Sequence, residues 1–155
     1  LVIEADESDG SIVLYTPEVG LLLNIDKDHK EIDVLMEVFE QFQQHTKEFF
    51  VVNQSHALAK KLSVNPQHNF SVDTADNAAY HAADFKQEGL NISFTINHSP
   101  FTLNALGKHS MENALAAATV CHLIGVPLTI AAEALQHYEG IYRRHQVFGQ
   151  KNGVW

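Results

Sequence analysis

Two short apolar runs with an amphipathic segment between them constrain this chain most. Val19 to Leu23 and Phe49-Phe50-Val51-Val52 are continuous apolar stretches, the pattern of strands buried on both faces. Between them, Glu31 to Thr46 places Ile32, Leu35, Met36, Phe39 and Phe42 at helical spacing. Strand, helix, strand is the unit of a parallel sheet, because parallel strands need a crossover between them. A further run, Leu1-Val2-Ile3, ends at Glu4 and reads as another buried strand. The spacing therefore predicts strands over Leu1 to Glu4, Val19 to Asn24 and Glu48 to Asn53, and a short helix over Ser55 to Leu62.

The middle of the chain changes character. Phe70 to Val72, Ala79 to Phe85, Asn91 to Ile96 and Phe101 to Leu103 are short strand candidates separated by Asn, Asp, Gly and Pro. Asn91 to Ile96 alternates polar and apolar residues, as in a sheet with one wet face, so a small antiparallel sheet is expected here. Two helices follow, one from about His109 to Ile124, the next from just after Pro127 to about His137. Gly125-Val126-Pro127 supplies the glycine stop and proline start between them.

Length and charge bound the function. A chain of 155 residues is large enough for one domain with a proper core. With 45% hydrophobic and 19% charged residues, the composition is that of a globular domain. A formal net charge of -9 argues against nucleic-acid binding and against an anionic membrane surface. No apolar run approaches the ~20 residues needed to cross a bilayer. No signal peptide opens the chain, and its one cysteine, Cys121, has no internal partner, which fits a reducing, cytoplasmic setting. Both ends fall inside strand-like segments: the chain starts at Leu1, and Gly153-Val154-Trp155 reads as a strand opening. The expectation is a piece of a larger protein.

Three groups of residues can carry chemistry. Glu4 opens an acidic cluster, Glu4-Ala5-Asp6-Glu7-Ser8-Asp9, where a strand should end. In open α/β sheets that is where ligands and metals bind, and Mg²⁺ needs only one or two carboxylates beside waters and phosphates. The plainer reading is a solvated acidic turn. Asp28-His29 closes Asn24-Ile25-Asp26-Lys27-Asp28-His29 after the second apolar run. A neutral imidazole can ligate a metal with a carboxylate alongside, whereas the plainer reading makes Asp28 the cap of the following helix. The third group lies toward the end. Gly107-Lys108-His109-Ser110-Met111-Glu112-Asn113 opens an alanine-rich helix. The amide of Asn113 suits the amino and ring-nitrogen edge of adenine, or is merely exposed. Arg143 or Arg144 can clamp a phosphate, or simply answer the acidic background.

Four segments in this order and spacing resemble the central, ATP-binding domain of the Mur ligases, the peptidoglycan-precursor amide ligases. They are Glu4 to Asp9, Asn24 to His29, Gly107 to Ala117, and Gly140 to Arg144. The resemblance implies an α/β fold. It would have a mostly parallel sheet with flanking helices, akin to the P-loop NTPases, plus a small antiparallel sheet. Residues 1–150 would be the central domain without its phosphate-loop part, and residues 151–155 the start of the next domain. It implies ATP and two Mg²⁺ ions as cofactors. Glu4 would hold one ion near the β- and γ-phosphates, and His29 the second beside the acyl phosphate. Asn113 would read adenine with His109 close to the same pocket, and Arg144 or Arg143 would reach the nucleotide phosphates. The family's histidine-asparagine pair is His109-Ser110 here, which removes one asparagine but leaves Asn113 in place. No lysine of the Glu31 to Thr46 helix stands out as the carbamylated residue some members use.

The EADESD and NIDKDH forms are most like the members that join L-alanine to UDP-N-acetylmuramate, with murein-tripeptide recycling as the alternative. The UDP-sugar and the amine would be held mainly by other domains. No GxxxxGK[ST] phosphate loop occurs in these residues. The expectation is that this polypeptide alone neither binds ATP tightly nor ligates. Rival readings are a non-catalytic nucleotide- or metal-binding domain, or a structural piece whose acidic turn and Asp28-His29 are only a loop and a cap.

Overall fold

In the computed structural model, residues 1–8, 10–27, 30–138, 140 and 149 are described. The first strand, β1 (Val19–Leu22), is joined through helix α1 (Ile32–His45) to β2 (Phe49–Val52). The strands pair in parallel, Val19 opposite Phe49 through Leu22 opposite Val52, so the expected crossover unit forms. Helix α1 sets Leu35, Phe39 and Phe42 on its buried side. At its end it presses on Gly20, where an added Cβ would come 2.6 Å from Thr46 Oγ1 and 2.9 Å from the Phe50 ring.

The antiparallel part is the larger of the two sheets. Strands β3 (Phe70–Ser71), β4 (Tyr80–Glu88), β5 (Asn91–Ile96) and β6 (Ser99–Leu103) lie in that order. β3 runs parallel to β4, and the other pairings are antiparallel. Ile92, Phe94 and Ile96 alternate inward along β5 as its sequence predicts. Helices α2 (Gly107–Leu123) and α3 (Leu128–Gln136) cover that face.

β2 is the wall between two cores. Val51 faces the core that holds Phe70, Phe94, Phe101 and Leu115. Phe50 and Val52 face the other, with Leu22, Leu35 and Phe39. Successive side chains of a strand point to opposite faces, so a strand covered on both sides must be apolar throughout. Val51 and Val52 are both fully buried.

The two sheets are stitched beside β2. The buried Val52 N–H donates 2.9 Å to the side-chain oxygen of Asn69. Asn69 is itself fully buried and donates 2.6 Å to Ser63 Oγ. Two residues on, the Gln54 N–H donates 2.8 Å to the Phe70 carbonyl. A side-chain amide thus stands where a neighbouring strand's carbonyl would be.

Two expectations need correction. Leu1 to Glu4 is not a strand, and Leu1, Val2 and Ile3 are exposed. An extended run becomes a strand only by pairing its backbone, and this one does not join the open edge of β1. Ser55 to Leu62 forms only a 3₁₀ turn, Ala59–Leu62. A side chain intercepts a donor an α-helix would use there: His56 Nδ1 takes the Ala59 N–H. The cap residue of α1 is Glu31, and Asp28, the other cap candidate, lies outside the described residues.

Candidate functional site

The loops leaving β1 and β2 emerge together at the carboxyl ends of the parallel strands, the edge where open α/β sheets bind ligands. Asp26, after β1, lies 3.6 Å from His56 Nε2, after β2. Lys30, just ahead of α1, donates 2.8 Å to the carbonyl of Glu7. That bond ties the acidic segment to the start of the chain entering α1. Glu4, Ala5, Asp6 and Glu7 line one open depression. Glu4 is exposed, and Asp6 Oδ1 accepts the Ser8 N–H at 2.7 Å, which curls the segment.

The third motif reaches the same edge through β2. Asn53 follows β2 directly and is buried; its side-chain amide donates 2.5 Å to Glu112 Oε1 on α2. Its carbonyl oxygen accepts the Ser55 N–H at 2.9 Å, so both ends of the amide are used. His109 and Asn113 are both exposed and stand four residues apart, on one face of α2. The His109 ring lies over Gly107, where an added Cβ would come 2.9 Å from Nδ1. Gly107 has φ +77, a conformation glycine adopts without strain. His29, Arg143 and Arg144 lie outside the described residues.

The donor set fits a hard cation in one respect and limits it in another. Glu4 and Glu7 offer carboxylate oxygens around one depression, the chemistry Mg²⁺ takes. Among the described residues, no group of three or more His, Cys, Asp or Glu side chains converges as an all-protein cage. Such a site suits an ion that keeps its waters and shares a substrate's phosphates.

Sequence reasoning missed Asn53, Glu112, His56 and Lys30. The signal lay in Asn53-Gln54-Ser55-His56, a polar run following a fully apolar strand, which had been absorbed into a strand end and a helix. Asp76 is a further charged group held in place. Hydrogen bonds from Lys60 first and Ser71 second hold its carboxyl below the ordinary range, away from the edge just described. Among the described residues no helix is long and apolar enough to cross a membrane.

Residues 1–121 match the model of the Mur ligase middle domain. The chain belongs to the Mur ligase family. Over 99% of its length it is 32% identical to UDP-N-acetylmuramate–L-alanine ligase of Thermobifida fusca, of which it spans 35%. The enzyme of the same name from Synechocystis is 29% identical over 99% of the chain, which spans 32% of it. The chain therefore covers about a third of the length of these curated Mur ligases. Its fold matches the Thermotoga maritima UDP-N-acetylmuramate-alanine ligase with a TM-score of 0.80 at 20% identity, over 95% of this chain and 35% of that one. The UDP-N-acetylmuramate:L-alanyl-gamma-D-glutamyl-meso-diaminopimelate ligase of Neisseria meningitides follows at 0.70 and 19% identity, over 85% of this chain and 43% of that one. At such identities the likeness is one of fold, and it establishes the α/β architecture of the Mur ligase middle domain.

Proposed function

We propose that this chain is the middle-domain part of an ATP-dependent carboxylate–amine ligase that joins L-alanine to UDP-N-acetylmuramate. One observation carries the reading: 32% identity over 99% of the chain to an enzyme of that name. The geometry supports it, because the acidic segment and the loop after β1 are joined by the Lys30–Glu7 bond at the ligand-binding edge of the sheet.

In this reading the substrate carboxylate attacks the γ-phosphate of ATP and releases ADP; the amine of L-alanine then attacks the acyl carbon of the acyl phosphate, displaces inorganic phosphate and loses a proton to give the amide. Bound magnesium would supply charge neutralisation for the phosphates, with Glu4 and His29 as its protein ligands. Lys30 holds the acidic segment against the loop, so that Glu4 is presented rather than left on a free strand. Asn113 reads the adenine edge, His109 lines the same pocket, and Arg144 or Arg143 meets the nucleotide phosphates. The remaining parts of the site, the phosphate loop among them, and the sites for sugar and amine belong to the whole protein.

The test is phosphate release by the full-length protein with ATP and UDP-N-acetylmuramate, comparing L-alanine with the tripeptide L-alanyl-γ-D-glutamyl-meso-diaminopimelate as the amine. Turnover with L-alanine alone is expected. Turnover with the tripeptide only would move the assignment to a recycling ligase, and no release with either amine would remove it.

A further inference from the structure

The Asn53–Glu112 bond joins two elements whose relation decides where Asn113 points. Asn53 belongs to the loop that leaves β2, and Glu112 to the second turn of α2. Neighbouring residues on a helix point about 100° apart. With Glu112 turned in to the buried Asn53, Asn113 is turned out to the exposed face it shares with His109. On its buried side α2 sets Met111, Leu115 and Thr119 into the core, with Ala114, Ala116 and Ala118 between them. The alanines let the helix lie close, and the larger side chains fix how it seats on the sheet. A short hydrogen bond to an ionised carboxylate is directional and about twice as strong as a neutral one. The bond adds a directional hold on the helix's rotation at its nucleotide-facing end, one residue before Asn113.

We infer that Asn53 is a positioning residue for nucleotide binding: through Glu112 it sets the rotation of α2 that aims Asn113 at the base. The inference rests on the functional reading above and adds to it a residue that touches neither nucleotide nor metal.

A polarity swap tests it in the full-length protein. Asn53→Asp keeps the oxygen that accepts the Ser55 N–H but sets a carboxylate against Glu112. The pair should part, and the KM for ATP should rise roughly tenfold or more, with the KM values of sugar and amine and the kcat within about threefold. In the double variant Asn53→Asp/Glu112→Gln the donor and acceptor exchange places at unchanged side-chain lengths, and the KM for ATP should return to within about threefold of the parent. Should Asn53→Asp not fold, Glu112→Ala removes the same bond from the exposed side and should raise the KM for ATP about fivefold or more. Unfolding midpoints are measured alongside. An unchanged KM for ATP in a folded single variant overturns the inference. So does a double variant that regains its midpoint but not its ATP affinity, since the bond would then serve stability alone. A parent protein that releases no phosphate from ATP overturns the functional reading itself, which separates that failure from this one.

Discussion

Replacing Asn69 by alanine removes a side chain that acts as part of a β-ladder. Its oxygen accepts from the Val52 N–H, which is buried and has no water to turn to. Its amide donates to Ser63 Oγ, which also accepts from Gln54 and so keeps one partner. An orphaned buried donor is destabilising by about 1–3 kcal/mol, and a lost neutral hydrogen bond adds about 1 kcal/mol. Asn69→Ala should therefore lower stability by roughly 2–4 kcal/mol. Asn65→Ala is the matched control. The same residue type, four positions earlier and half-buried, accepts the Gln67 N–H at a turn and meets His68 Nε2 at 3.2 Å, but satisfies no buried backbone donor, so its loss is worth about 1 kcal/mol. Urea unfolding of the full-length protein, followed with amide exchange at Val52, separates the two. The Val52 amide should lose protection in Asn69→Ala and keep it in Asn65→Ala. Equal stability losses, or an unchanged Val52 exchange rate in Asn69→Ala, would refute the view that this side chain completes the ladder.

Further outcomes follow from other parts of the structure. Gly20→Ala drives a Cβ into Thr46 and Phe50 and should lower stability by about 1–3 kcal/mol, read as a lower urea midpoint. Asp76 has a native pKa depressed chiefly by the Lys60 hydrogen bond. Its contribution is complete above the ordinary carboxylate range and is lost as pH falls through the depressed value. Acid unfolding should thus be less steep in Asp76→Asn, whose stability is already lower near neutrality. Glu4→Ala and His29→Ala should each abolish ligation by the full-length enzyme while circular dichroism stays unchanged; full turnover in either would remove that residue from the metal site.

The fold was legible where one physical signal dominated. Phe49 to Val52 needed only continuous apolarity, and Asn91 to Ile96 only alternation, because burial on two faces or one writes those patterns directly. Helix α1 announced itself through Leu35, Phe39 and Phe42. Leu1 to Ile3 failed because apolarity shows that a run can be buried, while a strand also needs a neighbour with free backbone groups. Ser55 to Leu62 failed because the His56 side chain takes the Ala59 N–H through a bond that no periodicity shows. The site divided along the same line. Glu4 stands out by residue type at the end of an apolar run, whereas the roles proposed for His109 and Asn113 rest on the family resemblance. Asn53 and Lys30 act by reaching across the fold to Glu112 and Glu7, and partners so far apart in sequence are chosen by topology.

Val51 and Val52 give β2 a further consequence. Because one strand furnishes the interior of both halves, neither half can loosen without exposing the other's floor. The two should melt as a single cooperative unit, with β2 amides among the last to exchange. The core on which the helix bearing Asn113 rests thus includes a residue of a four-residue strand some sixty positions earlier in the chain. A methyl group trimmed from Val51 would be felt at the far end of α2 as a looser grip rather than a missing contact.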